Sequence, residues 1–140
     1  MKTAIVNLQN PIPVLLLALA AGCSPNSKLD QGIFKNPRQY AGRTVTVQGG
    51  ELDPNDGTLR ANYGSYPRPT VRTDCHFIGG ASYRTKGTEL VDLYASFGFE
   101  NVNTVTVTGY FDGQEIKTSQ IVVQSRPIDG RTTAETLNLR

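Results

Sequence analysis

Asp74-Cys75-His76 gathers the most reactive side chains of the chain into three consecutive residues, and His76 is its sole histidine. On an extended strand, residues two apart share a face, so Asp74 could orient the His76 imidazole as in a hydrolase dyad. The partner nucleophile is absent from any recognisable setting, because no serine sits in a G-x-S-x-G turn. Cys75 points to the opposite face, which separates its thiol from His76 and places it in the interior with Phe77. One histidine and two widely spaced cysteines fall short of the four ligands of a structural metal site, so neither metal nor cofactor is expected. A second constellation, Arg60, Tyr63, Tyr66, Arg68, Arg72, Tyr83 and Arg84, offers different chemistry. Tyrosine rings stack and guanidinium groups make bidentate contacts to phosphate, carboxylate or sugar. The same residues would also serve as a solvated surface over a small core.

The elements that position these groups follow from patterning. Asn36-Pro37 opens a single helical turn that Gly42 closes. In Arg43 to Gly49 the valines alternate with threonine and glutamine, the period of a half-buried strand. Asp53-Pro54-Asn55-Asp56-Gly57 is a turn, and a second strand, Thr58 to Tyr63, returns antiparallel. Pro67 and Pro69 interrupt the sheet before a third strand, Val71 to Ile78. Residues 88 to 98 form one amphipathic helix, with Thr88 as N-cap, Leu90, Leu93, Tyr94 and Phe97 on one stripe, and Gly98 at its end. Thr104 to Phe111 is the fourth strand, Asp112-Gly113 a hairpin turn, and Ser119 to Ser125 the fifth. Residues 129–140 read as a flexible polar tail, with a marginal helical turn at 133–137.

The amino-terminal stretch carries chemistry of another kind. Ile12 to Ala21 is an apolar run of ten residues after a start charged only at Lys2. That is too short to span a bilayer, which needs roughly 20 helical residues, and it suits a secretory signal peptide. Leu19-Ala20-Ala21-Gly22-Cys23 resembles the lipobox of bacterial lipoproteins, although Ala20 stands where leucine is commonest. The resemblance implies that residues 1–22 are a signal peptide and that the thiol of Cys23 carries acyl chains such as palmitate. Residues 23–31 would then be a lipidated tether that holds the protein to the membrane without spanning it. The same resemblance makes aspartate after the cysteine the signal for inner-membrane retention, so Ser24 implies the outer membrane in a host that has one. The alternative is cleavage after Ala18-Leu19-Ala20, which leaves Cys23 free to pair with Cys75.

Charge bounds the partners. The chain holds 14 basic and 12 acidic residues, a balance that gives no electrostatic reason to expect nucleic acid. Residues 32–128 are one domain, mainly β. Three strands, a helix and two strands is the order of an OB-fold, a small five-stranded barrel with its helix between strands three and four. Asn103 to Val123, NTVTVTGYFDGQEIKTSQIVV, is similar to the closing hairpin of small bacterial periplasmic OB-fold proteins. Asn36 to Gly49, NPRQYAGRTVTVQG, is similar to the opening of OB-like envelope domains. On that fold the Arg/Tyr constellation lies where ligands usually bind. The reading is therefore a periplasm-facing, lipid-anchored envelope lipoprotein, not an enzyme, acting as a binding or assembly module for a protein, a glycan or an anionic ligand. The alternatives are a small periplasmic hydrolase using His76 and Asp74, and a purely structural accessory lipoprotein.

Overall fold

The computed structural model describes residues 28–78 and 84–139. The stretch expected to be a signal peptide, Cys23, the first part of the expected tether and Tyr83 lie outside them. The fold is mainly β: one helix and a sheet of seven strands that is not closed into a barrel. The strands are β1 (Arg43–Gly49), β2 (Glu51–Asp53), β3 (Thr58–Arg60), β4 (Thr70–Thr73), β5 (Val102–Phe111), β6 (Glu115–Ser125) and β7 (Ala134–Asn138). The helix α1 (Lys86–Phe97) stands between β4 and β5, and 3-10 turns cover Gln31–Phe34, Pro37–Tyr40 and Phe99–Asn101. No helix among the described residues is long and apolar enough to cross a membrane.

The alternation of β1 works as its sequence implies. Val45 and Val47 are buried, whereas the Thr46 and Thr108 hydroxyls meet at 3.2 Å on the other face and Gln48 Nε2 donates to Thr106 Oγ1. β1 pairs antiparallel with β5, which pairs antiparallel with β6. The turn between β5 and β6 is held by Asp112, whose Oδ1 accepts from the amides of Gln114 and Glu115 at 2.8 and 2.9 Å. Gly113 supplies the positive φ of 101° that this turn requires.

β6 begins at Glu115, four residues before the expected start at Ser119. The reason is a bulge: Thr108 faces Gln120 while Gly109 faces Thr118, so Ser119 is the extra residue. Ile116 and Thr118 are buried before it and Ile121, Val123 and Ser125 after it, with Val122 buried on the other face alongside β7. The phase of the alternation slips by one there, and a continuous strand reads as a short one.

The bulge is also where the far edge of β6 changes partner. Glu115 and Ile116 pair in parallel with β4, and residues Gln120 to Gln124 pair antiparallel with β7. Between them Thr118 turns its backbone outward, donating to Asp74 Oδ1 at 2.9 Å and accepting from Lys86 Nζ at 2.9 Å. The residues 129–140, expected to be a tail with at most a helical turn at 133–137, thus carry a strand. An unpaired stretch of β6 is the template that their own polar sequence does not reveal.

At the other end of the sheet order, β1 and β2 are separated only by Gly50. A Cβ on Gly49 would meet the Arg60 carbonyl and the Leu59 side chain, so the chain can bend there only with glycine. The open edge of β1 is occupied by residues placed in the tether. Asp30 N donates to the Thr46 carbonyl, and Asp30 Oδ2 accepts from Thr46 N. The Gln31 amide exchanges both bonds with Gln48. Thus Asp30 and Gln31 belong to the folded domain.

The helix starts earlier than its apolar stripe implies. Thr85, not Thr88, is the N-cap, its hydroxyl accepting from Thr88 N at 3.1 Å. Leu90 and Tyr94 are buried, and the helix ends at Gly98, whose amide bonds to the Tyr94 carbonyl. Tyr94 closes the margin of β2: its hydroxyl donates to the Leu52 carbonyl at 2.9 Å and accepts from Leu52 N at 3.3 Å.

Candidate functional site

β4 ends at Thr73, five residues short of the expected strand. The Thr73 hydroxyl donates to the Gly57 carbonyl and accepts from Cys75 N, a local turn that competes with the ladder. Val71, Thr73 and Cys75 still face the core, whereas Phe77, expected beside Cys75, is 46% exposed. Cys75 has no accessible surface, and burial pushes its thiol pKa up. Low thiolate content and no access make it unreactive in the folded protein.

The Asp74 carboxylate is used by the fold. Its Oδ2 receives Lys86 Nζ at 2.6 Å and its Oδ1 receives Thr118 N, with both charged side chains about four-fifths withdrawn from solvent (21% and 17% exposed). His76 Nδ1 lies 3.2 Å from the Phe77 carbonyl instead. The two residues that the alternative reading would join in a dyad thus serve different partners: Asp74 clips α1 to the bulge of β6, and the imidazole takes no orientation from it.

The Arg/Tyr constellation divides. Arg60, Tyr66 and Arg68 come together, lining with Glu51, Pro67 and Thr70 an open cleft of ≈ 450 Å³. Register explains the grouping, since Glu51 pairs with Arg60 and Arg60 with Thr70 across β2, β3 and β4, all on the outer face. Arg60 Nη1 and Glu51 Oε1 form an ion pair at 2.5 Å. Tyr66, followed by a cis peptide to Pro67, is 93% exposed on the loop between β3 and β4. Arg68 has no carboxylate partner among the described residues and is exposed.

The other members lie apart. Tyr63 packs edge-on against Phe34 with ring centres 6.0 Å apart, roofing the amino-terminal turn. Arg72 lies one register step along β4, opposite Thr58 and Glu115. Arg84 pairs with Asp92 of α1 at 3.1 Å, and Tyr83 is outside the described residues.

Sequence reasoning missed Glu51 and a second cleft. This one, of ≈ 270 Å³, is lined by Gly50, Glu51, Tyr94, Phe99, Val102 and Arg126. Phe99 is 58% exposed and its ring meets Tyr94 edge-on at 5.7 Å. Arg126 Nε donates to the Glu100 carbonyl at 3.3 Å. Only an acidic residue one glycine beyond an alternating strand could have drawn attention to Glu51. No group of three or more histidine, cysteine, aspartate or glutamate side chains suited to a metal ion occurs among the described residues. Compared with protein-family models, with curated proteins and with solved structures, the chain matches none.

Proposed function

We propose that this chain is an envelope lipoprotein, anchored through acyl chains on Cys23 and facing the periplasm, that acts as a non-enzymatic binding or assembly module on an OB-like, partly open barrel. The barrel reading rests on the join at Gly50. Counted as one bent strand, β1 and β2 reduce the core pairing to five strands, with α1 between the third and fourth and β7 added outside. The parallel pairing of β4 with β6 belongs to the same order. The lipid reading rests on the lipobox-like Leu19-Ala20-Ala21-Gly22-Cys23, and the buried Cys75 thiol packs within the core without a bridge in the described fold.

The observation that carries the binding function is the cleft that unites Arg60, Tyr66 and Arg68. An exposed ring and a guanidinium free of carboxylate, lining one cleft, suit an anionic or ring-bearing partner. Combined Tyr66→Ala and Arg68→Ala substitutions are expected to abolish envelope crosslinks with folding unchanged; an identical partner set would refute the site. Cys23→Ala is expected to release the protein into the soluble fraction or leave it unprocessed. Membrane retention with a bare thiol at Cys23, read by mass spectrometry of the mature amino terminus, would refute the anchor.

A further inference from the structure

Glu51 belongs to the walls of both clefts, so the two meet in one furrow across the margin of the sheet. The ends of the furrow repeat one chemistry. Phe99 stands with Arg126 on one side and Tyr66 with Arg68 on the other, both rings more than half exposed. Neither Arg68 nor Arg126 meets a carboxylate among the described residues, whereas Arg60 in the middle is neutralised by Glu51. Positive charge is therefore available at the two ends and cancelled between them.

We infer that the furrow binds a linear oligosaccharide carrying carboxylates on alternate sugars. The inference rests on reading the chain as a binding module and names the ligand of that site. Sugar rings stack on Tyr66 and Phe99, the carboxylates reach Arg68 and Arg126, and hydroxyls between them meet the Glu51–Arg60 pair. Capture of an extended peptide by strand addition at β2 is disfavoured. At β2 the outward amide and carbonyl of Leu52 are already taken by the Tyr94 hydroxyl. A polyanion charged at every unit is disfavoured by Glu51 itself, 61% exposed in the middle of the path.

The test is a titration of the full chain in detergent micelles, followed by amide NMR. The probes are a hyaluronan tetrasaccharide, a peptidoglycan tetrasaccharide with free lactyl carboxylates, and carboxyl-reduced hyaluronan as the neutral control. An acidic probe should shift the amides of Gly50, Thr70 and Arg126 together, and which acid binds more tightly identifies the source. The neutral control should bind at least about tenfold more weakly, and Arg68→Ala and Arg126→Ala should each lower affinity about tenfold, as loss of a charge-assisted contact implies. Equal binding of the neutral control, shifts confined to the Arg68 side, or indifference to Arg126→Ala would overturn the inference. If no saccharide binds while Arg68-dependent envelope crosslinks to an acidic protein persist, the inference falls and the binding module stands. If those crosslinks are independent of Arg68 as well, both fall.

Discussion

Replacing Tyr94 by phenylalanine removes one oxygen and keeps the ring. The tyrosine is buried, and its hydroxyl is partner to both the carbonyl and the amide of Leu52, a residue without accessible surface. Phenylalanine therefore leaves two buried backbone groups unsatisfied while hardly changing apolar packing. Each such group costs about 1–3 kcal/mol, and because the bond to the amide is long at 3.3 Å, the sum is about 2–4 kcal/mol. In urea the midpoint should fall with unchanged slope, and Tm should drop by roughly 4 °C per kcal/mol. Burial also raises the Tyr94 pKa above the ordinary value near 10. The folded state then binds a proton that the unfolded state loses first. The stability from Tyr94 is fully present below about pH 10 and declines at higher pH, so Tyr94→Phe should lack that part of the alkaline decline. A stability loss below about 0.5 kcal/mol, with an alkaline slope equal to that of the wild type, would refute the assignment of Tyr94 as the lock on β2.

Three other outcomes follow from the same geometry. Asp74→Ala should destabilise by about 2–4 kcal/mol, because it strands Lys86 and the Thr118 amide, whereas His76→Ala should change stability by under about 0.5 kcal/mol; equal effects in denaturant melts would contradict the separate roles. Cys75 should react with a thiol reagent only on unfolding, and labelling at the rate of a free thiol in native buffer would contradict its burial. Backbone donation from Glu115 and Gln114 holds the Asp112 carboxyl below its ordinary value, so its contribution is present above the unfolded pKa near 4 and disappears as pH falls through the lower folded value. An NMR titration placing Asp112 at or above ordinary aspartate would contradict the turn.

What could be read in advance divides by the range of the interactions concerned. Val45, Val47, Val105 and Val107 are buried as their alternation demands, and Asp112-Gly113 turns where it should, because pleat and turn are properties of neighbouring residues. The helix was legible from Leu90, Tyr94 and Gly98, but its cap was not, since Thr85 and Thr88 are equally good candidates until the chain direction entering the helix is known. Of the candidate contacts, Arg60, Tyr66 and Arg68 share a cleft, while Arg84 is drawn to Asp92 and Tyr63 to Phe34.

The chain alone thus determines the alternating cores of β1 and β5 with the faces they bury, the turn at Asp112-Gly113 and one helix with its buried stripe. Tertiary structure decides which edges meet. It puts Glu51 beside Arg60, extends β6 past its bulge, turns residues 134–138 into β7 and draws Asp74 to Lys86 instead of His76. Hydrogen bonding at a sheet edge is blind to side-chain pattern, and an ion pair across strands depends on register. Both are set only when distant segments pack on a common core.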